Sequence, residues 1–114
     1  MVVIELTDAE IDLVFHALAD STRRSIVTRV IDHEQSVSAL ASQYLMSFAA
    51  IQKHVAVLER ASLVTKQRRG RERIVHGNPD MLAAAARLLD SYEQLWRERI
   101  TRIDDILREP HGKD

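Results

Sequence analysis

Apolar residues recur along the chain first with a helical period, then with a strand period, then with a helical period again. Between Asp8 and Ala19, Ile11, Leu13, Val14, Phe15, Ala17 and Leu18 spread over more than one stripe of a helix. Such a helix is expected to be covered on two sides, by its own core and by a second subunit. Thr7-Asp8-Ala9-Glu10 reads as a capping box at its start, with hydroxyl and carboxylate each meeting an orphan amide. Asp20 or Ser21 can cap a second helix through Asp32, with Ile26, Val27, Val30 and Ile31 inward and Arg23, Arg24 and Arg29 outward. His33-Glu34-Gln35-Ser36 then reads as a polar connection. Ser38 can cap a short third helix carrying Leu40, Ala41 and Tyr44, and after a break at Leu45-Met46 a fourth helix starts on Ser47. Its Ile51, Val55 and Leu58 lie at i, i+4 and i+7 and define a buried face, leaving Phe48, Ala49, Gln52, Lys53 and Ala56 pointing away. Two short helices over 38–61 joined by a tight turn predict a helix-turn-helix.

Past Leu63 the period falls to two. Val64-Thr65-Lys66-Gln67-Arg68 and Arg73-Ile74-Val75-His76 flank Arg69-Gly70-Arg71-Glu72, which predicts a hairpin over 64–76 with an arginine-rich tip. Asn78, by its side chain, and Pro79, by its fixed φ, mark the start of a helix that continues to about Arg108 before Pro110-His111-Gly112 stops it and a frayed tail follows. Within it Leu82, Leu89, Trp96 and Ile103 recur at heptad spacing, with Ala85, Tyr92 and Ile106 on the adjoining seam. Some 30 residues at helical rise would span ~45 Å, more than so small a domain needs. The order helix, helix, helix-turn-helix, basic hairpin, long helix is that of a winged helix. The expected fold is therefore mainly α with a small β-hairpin wing, one domain over 1–114. It is expected to be homodimeric through the first helix (8–19, by Ile11, Val14 and Phe15) and the last (79–108, by Leu82, Leu89, Tyr92, Trp96 and Ile103).

Composition narrows the function. At 114 residues, 46% apolar and only 4% aromatic, the chain can build one modest aliphatic core, which argues against a two-domain enzyme. A net charge of −1 hides segregation: residues 1–34 carry seven acids against three bases, residues 35–46 none, and residues 47–76 seven bases against two acids. A block of +5 in an otherwise acidic chain points to a polyanionic partner. The absence of cysteine excludes disulfides, thiolate metal ligation and thiol redox chemistry, and makes the cytosol the expected compartment. No signal-like opening and no 18-residue apolar run occur, so neither export nor a membrane partner is expected. There is no G-x-S-x-G, P-loop or H-E-x-x-H motif and there are only three glycines, so neither catalytic residues nor a cofactor is expected.

The candidate chemistry gathers on the fourth helix and the hairpin. Gln52 can pair bidentately with adenine, and Lys53 can meet guanine or phosphate, in the major groove of double-stranded DNA. Ser47 suits both capping and phosphate binding at a helix N-terminus. Ser38, at the start of the third helix, and the small Ala49 on the exposed face of the fourth are further candidates for DNA contact. Two readings stand for Phe48: contact with a thymine methyl, or folding back on the core. His54 lies between the buried and exposed faces, where a metal ligand, a base or a phosphate contact are all open. Arg68, Arg69, Arg71 and Arg73 form a cationic ribbon that can straddle a minor groove and meet phosphates, or can be a solvated edge strand protected by charge. The remaining histidines read as bland. His16 has no second histidine at i+4, His33 and His76 read as solvated, and His111, near Asp104 and Asp105, sits in a tail that makes a poor metal site. A basic face of this kind also fits an acidic protein partner.

Phe15-His16-Ala17-Leu18-Ala19-Asp20-Ser21-Thr22-Arg23-Arg24 and the run from Ser47 to Val64 resemble the ArsR/SmtB family of bacterial transcriptional repressors. The second run places Ile51, Lys53, His54, Val55, Leu58, Ala61, Leu63 and Val64 on the family pattern S-x-x-x-V-x-x-H-L-x-x-L-x-x-A-G-L-V, and Arg69-Gly70-Arg71 matches its wing tip. The likeness spans residues 11–76. It implies a repressor that binds a palindromic operator as a homodimer, with His54 in packing and DNA-backbone contact. Two positions depart from the pattern. Ser62 stands where the family commonly has glycine, so the left-handed stop there either carries ~1 kcal/mol of strain or gives way to another ending. Ser36-Val37-Ser38-Ala39-Leu40 falls on the family's C-V-C-D-L metal box, and hydroxyls do not replace thiolates for soft ions. The family's second metal site, built from aspartate and histidines on the last helix, is missing too, since no histidine lies between His76 and His111. The resemblance therefore implies a member without the known metal sites, and it names no small-molecule effector.

Overall fold

Side-chain caps decide where the helices of this chain begin. In the computed structural model, which describes residues 5–108, Thr7 and Glu10 close the reciprocal box at the start of α1 (Asp8–Leu18), at 3.2 and 2.9 Å. Asp20 caps α2 (Ser21–Asp32) by accepting from the Arg23 amide at 3.0 Å. Ser47 caps α4 (Phe48–Arg60) through the Ala50 amide at 3.1 Å. For α3 (Val37–Ala41) the cap is Ser36 rather than Ser38: Ser36 Oγ accepts from the Ala39 amide at 3.0 Å, and Ser38 is an exposed residue inside the helix. The reason is pairing across the chain. Gln35–Ser36 is not a bare connection but a short strand, β1, whose residues sit opposite Val75 and Ile74 of β3. That pairing holds Ser36 in the extended backbone that a cap requires.

The hairpin consists of β2 (Val64–Arg69) and β3 (Glu72–Gly77), antiparallel, in a three-stranded sheet of order β1-β3-β2. Between α4 and β2 the left-handed stop is kept, with Ser62 at φ 62°. The Ser62 amide donates to Glu59 and the Leu63 amide to Leu58, so the turn's bonds are made while the serine carries the strain. The Asn78 side chain, expected to cap the next helix, also reaches back to the preceding turn, its amide nitrogen donating to the Ser62 carbonyl at 2.8 Å. The long helix α5 runs Pro79–Arg108, and the expected stop at Pro110-His111-Gly112 lies outside the described residues.

Ile26 and Val30 of α2, Leu40 of α3, Ile51, Val55 and Leu58 of α4, and Leu63, Val64 and Val75 around the sheet form the core, closed on one side by Val14 and Ala17 of α1. Val14 is only 1% exposed, so it is a core residue and not part of an outer face of α1. Its neighbours Leu13 and Phe15 are exposed, and Ile11 is half-buried. Ile31, expected to face inward, is 60% exposed, because it lies in the last turn of α2 beyond the core-facing stripe of Ile26, Val27 and Val30.

Among the described residues, 5–84 form one compact unit and 85–108 a second, where the sequence suggests a single domain; the boundary falls inside α5. Residues 85–108 are helical throughout, and their Leu89, Tyr92, Leu95, Trp96, Ile100, Ile103, Ile106 and Leu107 are exposed. Leu82, in the first unit, is half-buried. Among the described residues no helix is long and apolar enough to cross a membrane.

Candidate nucleic-acid interface

Burial of Ile51, Val55 and Leu58 fixes the roll of α4 about its own axis and decides what it presents outward. Phe48, Ala49, Gln52 and Lys53 are exposed, and His54 and Ala56 are half-buried at the margins. Phe48 remains 46% exposed and so does not fold into the core. It lines a cleft of about 200 Å³ with Val37 and Ser38 of α3, Gln52 of α4, and Arg71, Glu72 and Arg73 of the hairpin. Two expected halves of the surface, the helix face and the wing, thus border a single depression. Leu45 and Met46, in the turn between α3 and α4, are exposed as well.

Strand register arranges the arginines. Arg68 lies directly opposite Arg73, and Arg69 opposite Glu72. Like charges set side by side across a ladder repel, so the Arg68–Arg73 pair is a place where an anion would be welcome. At the tip, Gly70 adopts φ +66°, the left-handed conformation that suits glycine, and its carbonyl accepts from Arg68 Nε at 3.3 Å.

Not every cation of the basic block is equally disposed to an outside anion. Lys66 Nζ is 3.3 Å from Glu59, and Arg69 Nη1 is 3.2 Å from Glu34 Oε1. The other oxygen of Glu34 lies 2.6 Å from His76 Nδ1. His76, expected to be solvated, is therefore partly buried and paired, with its Nε2 enclosed and without a hydrogen-bond partner. Glu34, just beyond α2, clasps both strands of the hairpin. Neither Glu34 nor His76 is marked by any local sequence motif, because the contact exists only once β3 pairs with β1.

Arg23 also escapes a reading by helical face. Its side chain is only 12% exposed and turns back on α1, with Nε donating to the Ala17 carbonyl at 2.7 Å and Nη2 to the His16 carbonyl at 2.9 Å. Arg24 does the same for Leu18 at 2.7 Å. The usable signal was positional: two arginines immediately after a helix break can satisfy the orphan carbonyls of the helix just ended. The Arg23 amide is the main cause that holds the Asp20 carboxyl below the usual carboxylate range, and the Arg23 charge adds to it. A polar clamp holds the turn that follows α3 to α2: Arg29 Nε donates to the Tyr44 hydroxyl at 3.0 Å, Ser25 Oγ lies 2.8 Å from that hydroxyl, and Arg29 also bonds Gln43. Among the described residues no group of three or more His, Asp or Glu side chains is gathered in a way that could hold a metal ion.

No family model matches the chain. It is 36% identical over 96 residues to a helix-turn-helix-type transcriptional regulator of Mycobacterium tuberculosis, a match covering 84% of this chain and 87% of the relative. Among solved structures, an ArsR-like transcriptional regulator from Rhodococcus sp. RHA1 is similar at 36% identity and a TM-score of 0.77, over 86% of this chain and 92% of that chain. The homodimeric winged helix-turn-helix DNA-binding domain of a possible ArsR-family regulator from Mycobacterium bovis shares the fold at a TM-score of 0.63 and 19% identity, over 80% of this chain and 91% of that chain.

Proposed function

The chain belongs to the ArsR family of winged helix-turn-helix, DNA-binding transcriptional regulators, and on that premise we propose that it is a repressor acting as a homodimer on an imperfect palindrome. A two-fold dimer carries two copies of α4, so the half-sites fall about one DNA turn, roughly 10 base pairs, apart or a multiple of that. The observation that carries the reading is the cleft that brings Gln52 and Phe48 of α4 beside Arg71 and Arg73 of the wing. One duplex lying along it meets a base-reading helix and a cationic ribbon together. In this reading Gln52 reads a base edge, Phe48 and Ala49 meet thymine methyls, and Lys53, Ser47, Ser38 and His54 hold the backbone. Arg68, Arg69, Arg71 and Arg73 serve phosphates and the minor groove.

The dimer is proposed to form through the exposed apolar side chains of α5, Leu89, Tyr92, Trp96 and Ile103, with Leu82, and through Ile11 and Phe15 of α1. So many large apolar groups in water are a face that calls for a partner. Release from DNA does not run through a thiolate-bound metal in this reading, since serines hold the positions of the metal box and Ser36 Oγ is engaged with the Ala39 amide. The test is a gel-shift titration on DNA upstream of the chain's own gene, against a scrambled duplex, at several salt concentrations. Specific binding that weakens steeply with salt supports the proposal, and salt-independent binding or equal affinity for both duplexes overturns it.

A further inference from the structure

The structure assigns Arg23 a positioning role in DNA binding, one that rests on the reading above: from α2 it fixes the ring of His54 on the recognition helix so that a neutral Nε2–H faces the phosphate backbone. Arg23 Nη1 stands 3.3 Å from His54 Nδ1. A guanidinium has hydrogens to give and no lone pair to receive with. His54 Nδ1 must therefore be the acceptor, and the ring's one proton then sits on Nε2. The guanidinium is itself held in place, by the carbonyls of Ala17 and His16 at 2.7 and 2.9 Å and by Asp20, whose Oδ2 is 3.9 Å from Nη1. His54 is half-buried at the margin of α4, beside the buried Ile51 and Leu58, and its Nε2 is not enclosed as that of His76 is, so with Nδ1 turned to Arg23 Nε2 is the nitrogen left open to an outside partner. A donor with no acceptor function suits phosphate oxygens, which only accept. The contact so made is uncharged on the protein side, unlike those of Lys53 or the wing arginines.

That difference gives the test its discrimination. A cationic contact releases counterions, whereas a neutral donor does not. His54→Leu should weaken binding to operator and scrambled duplex alike by about tenfold, two hydrogen bonds being lost per dimer, with the slope of log affinity against log salt unchanged. A slope flatter by roughly two units would show a charged histidine and overturn the inference. Arg23→Lys keeps the charge, but its single nitrogen cannot stand where Nε, Nη1 and Nη2 each meet a separate acceptor. It should lower affinity by a similar factor, and the double variant should fall no further than His54→Leu alone. Additive losses would refute the positioning role. Because Arg23→Lys can loosen α1, a direct reading on the wild-type protein stands beside it: long-range ¹⁵N–¹H correlation of the side chain in mildly alkaline buffer, with a protonated Nε2 and a bare Nδ1 expected for His54. A proton on Nδ1, or on both nitrogens, in a protein that binds DNA refutes this inference alone. A wild-type protein that binds no duplex refutes the DNA-binding reading whatever the ring shows.

Discussion

Replacing Arg73 by threonine should make the protein more stable and a poorer DNA binder. Arg73 faces Arg68 directly across the hairpin, and both are exposed. Like charges in that position cost about 0.2–1 kcal/mol relative to a neutral pair, and threonine is a good strand former. A gain of about 0.5 kcal/mol corresponds to a rise in Tm of roughly 2–3 °C for a domain of this size. Added salt should shrink the gain, since exposed charges are screened over ~10 Å at 0.1 M ionic strength. The same change should remove the phosphate contact proposed for Arg73 in each protomer. Affinity for specific and scrambled duplexes should fall together, and the salt slope should flatten by roughly two units for a dimer. Thermal unfolding followed by circular dichroism, alongside DNA titrations at three salt concentrations, reads both effects. Arg73→Lys, which keeps the charge, should move neither far. If Arg73→Thr instead lowered the Tm and left the slope alone, the residue would belong to the packing of the wing, and the assignment of this pair to DNA would be wrong.

Three further outcomes are expected. Ser62→Gly should add about 1 kcal/mol of stability, because the position is held at φ 62°, and urea unfolding should show a higher midpoint with an unchanged m-value; a lower midpoint would mean that the serine hydroxyl contributes more than its backbone costs. Glu34→Gln should release Arg69 from its carboxylate partner, raise affinity for any duplex and steepen the salt slope by up to roughly two units per dimer; an identical slope would place Arg69 away from phosphate. If the proposed dimer forms, Trp96→Asp should convert it to monomer at micromolar concentration in sedimentation velocity, and a retained dimer mass would remove α5 from the interface.

Much of this architecture was legible because local chemistry dictates it. Thr7 with Glu10, Asp20, and Ser47 each precede a helix and accept from an amide three residues on, an arrangement visible in any stretch of sequence. The face of α4 followed from the spacing of Ile51, Val55 and Leu58. What stayed hidden is what needs a distant partner. β1 is two residues long and has no period of its own; Val75 and Ile74 make it a strand, and with it they move the cap of α3 from Ser38 to Ser36. Val14 sits among apolar neighbours all round α1, so the pattern alone could not say that it, rather than Leu13 or Phe15, enters the core. Arg23 and His76 look like surface residues by type, yet one is drawn in by orphan carbonyls and the other by Glu34.

Ser36 serves at once as the last residue of a strand and the cap of a helix, and this bears on where the chain can change in length. With no residue between β1 and α3, an insertion or deletion there would either break the pairing with Ile74 or pull the hydroxyl away from the Ala39 amide, so the spacing between sheet and helix-turn-helix is locked. The opposite holds at the tip of the wing. There Gly70 has nothing within 4 Å of where a Cβ would stand, and the strand ends on either side are exposed. Homologous chains should therefore vary in length at the tip and not at Ser36, so that the reach of the wing can drift by insertion while the bearing of α4 stays constant.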